Sequence, residues 1–167
     1  MKYLLMIAVA GLVAPPLAAH PGEVHAPASK ASPSRHASQA DEAAVRDVLS
    51  RYKAAIERLD ATGTQALFAA DSAIFETGGS EGTYANYLAH HLGPELGEFK
   101  SFKFNDYKAS VRFEGPVAIA TETYTYHIET KKGEAADRLG VATSVLKKEN
   151  GRWKIVVMHN SARKPRA

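Results

Sequence analysis

The apolar residues between positions 45 and 59 recur at the spacing of one helical face, with charged residues between them. The repeating residues are Val45, Val48, Leu49, Tyr52, Ile56 and Leu59. This pattern predicts one long amphipathic helix over residues 43–59, which the segment Asp60–Gly63 ends. Thr62 and Gln65 have the spacing of a capping box, which indicates a short second helix through Leu67 and Phe68.

Beyond residue 72 the pattern is mainly that of strands, interrupted by one further helix. A short strand is predicted at residues 73–77, followed by a tight turn at Gly78-Gly79. Thr83 is expected to cap a third helix, and Gly93-Pro94 is expected to end it. The face of this helix that is predicted to be buried carries Tyr84, Tyr87, Leu88, His91 and Leu92.

Four longer strands are predicted at residues 100–113, 117–130, 138–148 and 153–161. Asn150-Gly151 is a strong hairpin signal between the last two, because both residues tolerate positive φ. The order of elements predicts an α+β domain whose antiparallel sheet curls around the first helix and buries its apolar stripe. A sheet curled in this way leaves a pocket.

The first 40 residues differ in composition from the rest of the chain. Met1-Lys2 precedes an apolar run of twelve residues that ends before Pro15-Pro16, which is typical of a secretory signal peptide over residues 1–19. The run is shorter than the roughly 20 residues of a membrane-spanning helix, so no stable membrane anchor is expected. Residues 20–40 are rich in Pro, Ser, Ala and His and are predicted to form a disordered linker. We therefore expect a periplasmic or secreted protein with its folded domain at residues 41–162 and a basic tail at 163–167.

Composition and charge exclude several classes of function. The chain is 45% hydrophobic and 23% charged and contains no cysteine. A disulfide framework, a thiolate nucleophile and a cysteine-ligated metal are therefore excluded. The formal net charge is +3, but residues 41–162 contain 15 Lys and Arg against 17 Asp and Glu, so the excess of basic residues lies at the chain ends. No nucleic-acid partner is expected, because that function needs a basic face on the folded domain.

Four segments of the chain carry a family resemblance. They are the helix at 43–59, the segment Ala69–Phe75, the Gly78-Gly79 turn leading to Thr83, and the ending Gly151–Ser161. In this order they resemble the SnoaL-like branch of the nuclear transport factor 2-like superfamily, a fold that also hosts ketosteroid isomerase and scytalone dehydratase. The resemblance implies a cone-shaped α+β barrel, in which a curved antiparallel sheet wraps around an N-terminal helix, with three main helices. This fold carries both enzymes and binding modules, so the activity must be inferred from the site.

The last strand supplies the first candidate site residues. Strand alternation places Trp153, Ile155, Val157, His159 and Ser161 on one face. The family resemblance implies that this face looks into the cone. The imidazole of His159 could then act as a general base or acid or bind a metal, and the alternative is a structural histidine near the cavity mouth.

The third helix supplies a second histidine. His90 and His91 are adjacent, so their side chains diverge by about 100° and cannot easily bind one ion together. His91 shares a face with Tyr84 and Leu88 and is therefore the one expected to point inward. The alternative role for His91 is that of a hydrogen-bonded, half-buried polar group.

For two strands, the sequence does not decide which face points inward. If Ile74 points inward, Glu76 does so too, and a carboxylate in an apolar cavity has a raised pKa suited to proton transfer. If Phe75 points inward, Glu76 is exposed. In the strand Thr121–Ile128, the inward face is either Glu122, Tyr124 and Tyr126 or Thr121, Thr123, Thr125 and His127. A tyrosine hydroxyl in the cavity could donate a hydrogen bond to a developing oxyanion.

These residues support three hypotheses of function. In the first, the protein is a homodimeric, cofactor-free module that binds a small, mostly apolar ligand in the cone. Its predicted ligand-binding residues are His91, Tyr84, Leu88, Trp153, Ile155, Val157, Tyr126 and Ser161. In the second, it is a cofactor-free acid–base enzyme of the isomerase, dehydratase or cyclase type, with His159 or Glu76 as the base and Tyr124 as the oxyanion donor. In the third, His91, His159 and Glu76 hold zinc or copper.

Overall fold

The first helix, α1 (Gln39–Glu57), turns its apolar stripe towards the protein interior. This computed structural model describes residues 38–166. The helix begins at Gln39 because the Ser38 hydroxyl accepts a hydrogen bond from the Asp41 amide at 3.1 Å, which caps the first turn. It ends before Leu59, which was predicted to be helical, because Leu59 adopts the left-handed conformation at φ 57°.

The short second helix is a single 3-10 turn at Thr64–Leu67. Gly63 occupies its capping position, so the predicted capping role of Thr62 is wrong. The reason is local: the Asp60 carboxylate accepts a hydrogen bond from the Thr62 amide at 2.9 Å and holds that residue in the preceding turn.

The third helical segment is longer than predicted and changes its winding. It comprises α2 (Tyr84–Tyr87), a π-helical turn (Leu88–Leu92) and α3 (Gly93–Glu98). Thr83 caps it as predicted, through a hydrogen bond from the Asn86 amide. Gly93-Pro94 does not end it: the proline lies in the first turn of α3, where no amide hydrogen is required, and the Gly93 amide donates to the Leu88 carbonyl in the wider π pattern.

The strands form one six-stranded sheet in the order β2-β1-β6-β5-β4-β3, and every adjacent pair is antiparallel except β1 and β6. The strands are β1 (Phe68–Glu76), β2 (Gly79–Gly82), β3 (Phe99–Glu114), β4 (Val117–Thr130), β5 (Ala135–Glu149) and β6 (Arg152–Arg163). The first hairpin turns at Thr77-Gly78, one residue earlier than predicted. The predicted meander of four long strands is confirmed, and Asn150 and Gly151 both adopt positive φ in its last turn. The sheet is curved and unclosed, and the predicted α+β cone is confirmed.

A bulge in β6 changes which side chains reach the inside of the sheet. Ile155 pairs with Leu146 and Val157 pairs with Val145, so Val156 is an extra residue without a partner in β5. Side chains alternate along a strand, and one inserted residue inverts all those that follow. Ile155 is therefore buried before the bulge and Met158 is buried after it, at 0% and 3% exposure.

The core lies between the inner face of the sheet, α1 and the third helical segment. Tyr84 stacks on Phe68 with the ring centres 3.6 Å apart and donates its hydroxyl to Thr64 at 2.7 Å. At the other end of the core, the Trp153 indole donates to the Asp41 carboxylate at 3.0 Å. Hydrogen bonds from Lys148 and Trp153 lower the pKa of Asp41 to about 2. The start of α1 is thus tied to the hairpin of β5 and β6.

Ser144 on β5 gives a test of this packing. Its side chain is fully buried, and its hydroxyl has no hydrogen-bond partner among the described residues. An unpaired buried hydroxyl carries an uncompensated desolvation cost. We expect Ser144→Ala to raise the free energy of unfolding by about 1 kcal/mol in urea denaturation. Ser110→Ala, the same change at an exposed position of β3, is the control and should alter stability by less than about 0.5 kcal/mol. A loss of stability in Ser144→Ala would contradict the unpaired hydroxyl.

Candidate functional site

A cavity of about 120 Å³ lies in the hollow of the sheet, between α1, the third helical segment and the inner faces of β3, β4 and β6. Its apolar and aromatic wall is formed by Tyr52, Ile56, Leu92, Leu96, Phe99, Phe102, Phe104, Ile128 and Ala162. Its polar lining consists of Glu76, Tyr87, Glu95, Tyr124, Tyr126, Asn160 and Ser161. An apolar cavity of about 150 Å³ holds benzene in another protein, so the volume here fits about one six-membered ring.

Glu76 points into this cavity. Ile74 lies beside Met158 in the sheet register and is fully buried, so Phe75 points outward and Glu76, beside Asn160, points inward. The Tyr87 hydroxyl donates a hydrogen bond of 2.6 Å to Glu76 Oε2. Burial and the neighbouring Glu76 charge raise the pKa of Tyr87 well above its usual range, so this phenol keeps its proton.

Asn160 was not predicted as a site residue. It lines the cavity because the bulge at Val156 turns it inward. Its amide oxygen Oδ1 is buried and has no hydrogen-bond partner among residues 38–166. A buried acceptor without a partner carries a desolvation cost.

The inward face of β4 is the one that carries Glu122, Tyr124 and Tyr126. Tyr124 and Tyr126 line the cavity. Tyr124 has room because Gly140 stands opposite it on β5, where any Cβ would overlap the tyrosine ring. His127 belongs to the outer face and contacts Asp137 at 2.8 Å.

Glu122 forms a second buried acidic group with Tyr107. The Tyr107 hydroxyl donates to Glu122 Oε1 at 2.5 Å. Burial raises the pKa of Glu122, and the Tyr107 hydrogen bond offsets part of that effect. Tyr107 reaches this position because β3 is bulged between Asn105 and Lys108, where Asp106 has positive φ. Glu122 does not line the cavity, so the pair supports its wall.

His91 lies at the rim among three carboxylates from β1, β2 and α3. Its Nδ1 atom is 3.2 Å from Glu81 Oε2, and its Nε2 atom is 3.4 Å from Glu95 Oε1 and 4.0 Å from Glu76 Oε2. Burial lowers the pKa of His91, but the Glu81 hydrogen bond and the charges of Glu95 and Glu76 outweigh it, so the pKa is raised. Burial also raises the pKa of Glu95.

The expected inward orientation of His159 is wrong. The side chain is exposed on the outer face of the sheet, edge-on to Phe75 with ring centres 6.4 Å apart. It is therefore on the opposite side of the sheet from Glu76, and the predicted constellation of His91, His159 and Glu76 does not form. Within residues 38–166, no group of three or more His, Asp or Glu side chains is arranged to hold a metal ion.

The other predicted site residues divide between cavity, core and outer surface. Of these, Tyr126 and Ser161 line the cavity together with Glu76 and Tyr124. Tyr84, Trp153 and Ile155 are buried in the core, and Val157 lies on the outer face after the bulge. Leu88 faces a separate shallow hollow beside Leu59.

Sequence reasoning missed several lining residues, chiefly Tyr52, Tyr87, Phe102, Phe104 and Glu95. Tyr52 and Tyr87 had been assigned to apolar helix faces, and that signal was sufficient to place them inward. Phe102 and Phe104 alternate on a predicted strand, so their shared face was also visible in the sequence. Glu95 gave no signal, because the helix was expected to end before it.

None of the helices within residues 38–166 combines the length and the apolar character needed to cross a membrane.

The α+β cone and the cavity in its hollow define a nuclear transport factor 2-like fold, and solved structures agree. An NTF2-like superfamily protein from Salmonella enterica serovar Typhimurium LT2 is 22% identical, with a TM-score of 0.63, over 74% of this chain and 89% of that chain. A protein from Shewanella frigidimarina NCIMB 400, provisionally assigned as a ketosteroid isomerase, is 26% identical with a TM-score of 0.58 (71% and 94% covered). Hexachlorocyclohexane dehydrochlorinase LinA-type3 from Novosphingobium barchaimii LL02 is 13% identical with a TM-score of 0.64 (74% and 87% covered).

The family model of the SnoaL-like domain matches residues 45–165, and the chain therefore belongs to the SnoaL-like domain family. No curated protein matches the chain.

The raised pKa of His91 predicts a pH-dependent contribution to stability. The folded-state pKa lies above the usual value of 6.5, so the contribution is complete below about pH 6.5 and is lost as the pH rises through the folded-state pKa. We expect His91→Gln to lower the melting temperature at pH 5.5 and to have little effect at pH 9. His90→Gln, at the exposed neighbouring position, is the control and should show no such dependence. A pH-independent effect of His91→Gln would contradict the charge cluster.

Proposed function

We propose that the protein binds a small, mostly apolar molecule, about one ring in size, in the cavity of its cone. The observation that supports this most directly is the lining of the cavity, in which aromatic and aliphatic side chains surround the polar groups of Glu76, Tyr124 and Tyr126. Apolar walls with a few convergent polar groups are the usual composition of a small-molecule site. Typical drug-sized sites exceed about 300 Å³, so the ligand here is smaller or extends partly through the open mouth.

The proposal includes a periplasmic or secreted location. It is supported by the composition of residues 1–19, which is that of a cleavable signal peptide. Residues 1–37, which include this segment and most of the predicted linker, lie outside the described residues.

Benzyl alcohol, a neutral one-ring molecule, provides a test of binding by NMR titration of the labelled protein. We expect saturable shifts at cavity residues. Gly140→Ala should weaken binding by about tenfold or more, because its Cβ displaces the Tyr124 ring into the cavity. Gly97→Ala is the matched control, since a Cβ there meets no atom within 4 Å.

A second blocking variant, Ala162→Leu, fills the cavity from β6. It keeps the test valid if Gly140→Ala does not fold. Melting curves of both variants establish that they are folded. The proposal fails if the wild-type protein does not bind the probe, or if both folded blocking variants bind it as the wild type does.

We propose acid–base catalysis as a second candidate function, because a specific contact supports it. Glu76 is held by Tyr87 at 2.6 Å in the same cavity as Tyr124 and Tyr126. The Glu76 carboxylate would accept a proton from a carbon beside a carbonyl group, and a tyrosine hydroxyl would donate a hydrogen bond to the enolate oxygen. The likeness to a dehydrochlorinase and to a provisionally assigned isomerase supports the same class of chemistry.

Deuterium exchange into cyclohexanone, followed by NMR in D2O, tests this chemistry without a known substrate. We expect the protein to accelerate exchange at the carbons beside the carbonyl. Glu76→Gln should reduce the enzymatic rate by about 100-fold or more, because it removes the base. Glu81→Gln at the rim is the control and should retain most of the rate. No acceleration by the wild type, or an equal rate in Glu76→Gln, would rule out this role for Glu76.

We further propose a homodimer formed through the outer face of the sheet. Phe75 and Val141, the large apolar side chains exposed among the described residues, both lie on that face, with 38% and 51% of their surface exposed. A partner packed against this face would remove both from water. Light scattering should give the mass of a dimer for the wild type and a monomer for Val141→Lys, while Thr62→Lys away from the sheet stays dimeric. A monomeric wild type at micromolar concentration would contradict the dimer.

A further inference from the structure

The charges around the cavity are not balanced. Glu76 and Glu95 both line it, and Glu81 stands behind them at the rim. Among the described residues, no lysine, arginine or histidine lines the cavity. His91 at the rim contacts all three carboxylates and can neutralise only one of them.

Two cations stand close to the cavity wall without lining it, and one of them is paired with a carboxylate. Lys53 lies behind the Phe104 ring, 5.3 Å from its centre, and pairs with Glu57 at 2.8 Å. Arg138 stands beside Tyr126 on the inner face of the sheet and outside the cavity lining, and it keeps its charge because it donates only to the neutral carbonyl of Asp137. The three carboxylates still outnumber His91 and Arg138, so the mouth of the cavity keeps an excess of negative charge.

The uncharged lining also suits a cation. Seven aromatic rings line the cavity: Tyr52, Tyr87, Phe99, Phe102, Phe104, Tyr124 and Tyr126. The faces of aromatic rings carry negative charge density and attract ammonium groups, most strongly where water is excluded. An anionic ligand would meet the carboxylates of Glu76 and Glu95 and would be repelled by them.

The lining offers hydrogen-bond acceptors to a ligand, namely the carboxylates of Glu76 and Glu95 and the hydroxyls of Tyr124 and Tyr126, which can also donate. Glu76 uses Oε2 to accept from Tyr87, and its second carboxylate oxygen can accept from a ligand. An alkylammonium group has three N–H donors and no acceptor, which matches this set.

We propose that the cavity selects a small organic cation, namely a primary or secondary ammonium group attached to a single apolar ring. The inference rests on the proposed binding function and specifies the charge of its ligand. The ring packs among the aromatic side chains, and the ammonium group donates to Glu76 while Glu95 supplies the second negative charge. Neutral molecules of the same shape bind more weakly, and carboxylates of the same size are excluded.

Three probes of nearly equal size test this selectivity: benzylamine, which is protonated at pH 7.5, benzyl alcohol, and benzoate. We expect NMR titration to show benzylammonium bound at least about tenfold more tightly than benzyl alcohol, with no saturable binding of benzoate. The advantage of benzylammonium should shrink as the salt concentration rises, because the attraction is electrostatic.

Charge-removing variants separate selectivity from binding. In Glu76→Gln and Glu95→Gln, the ratio of the benzylammonium affinity to the benzyl alcohol affinity should fall towards one. Glu98→Gln, an exposed position of α3 outside the cavity lining, is the matched control and should keep the wild-type ratio. Melting curves confirm that each variant is folded.

The two proposals fail in different ways. If benzyl alcohol binds in the cavity and benzylammonium binds no more tightly, cation selection is wrong and the binding function stands. If benzoate binds best, the same conclusion follows. If none of the three probes binds, the binding function itself is wrong and the cation proposal fails with it.

Discussion

One extra residue in β6 determines which side chains of that strand face the interior of this protein. Val156 has no partner in β5, so the side chains after it are inverted relative to those before it. Asn160 faces the hollow for this reason, and His159 faces outward. The inward orientation of Glu76 depends on the same bulge, because β1 pairs with β6 beyond it and Glu76 lies beside Asn160. Deletion of Val156 would therefore turn the polar side chains of Asn160 and Glu76 out of the cavity.

The polar group inside the cavity is assembled from three separate elements. Glu76 comes from β1, Tyr87 from α2 and Asn160 from β6, and they meet in a space otherwise walled by aromatic and aliphatic side chains. In such surroundings a hydrogen bond is stronger than in water, and an unpartnered acceptor is more costly. The cavity therefore combines a specific recognition feature with walls that accept varied apolar shapes. This combination is consistent with a family fold that serves both binding modules and enzymes.

The third helical segment connects this interior to the charged rim. Its π turn carries His91, and α3 carries Glu95, so the same stretch of chain supplies both the histidine and one of its carboxylates. A π turn widens the helix by one residue per turn and recurs at functional positions. Gly93 makes the turn possible, since a Cβ there would lie 2.6 Å from the Leu88 carbonyl oxygen. Extension of the helix past Pro94 is what brings Glu95 into the cavity wall.

The sequence by itself determined the secondary elements and the fold family. Helical periodicity in α1 and the strand patterns with Asn150-Gly151 are local properties, since they depend on neighbouring residues along the chain. Which side chains of those strands face inward is not decided by neighbouring residues along the chain. The bulge at Val156 and the pairing of β1 with β6 depend on hydrogen bonds between distant segments, so only the tertiary structure decided that Glu76 and Asn160 face the cavity and that His159 does not.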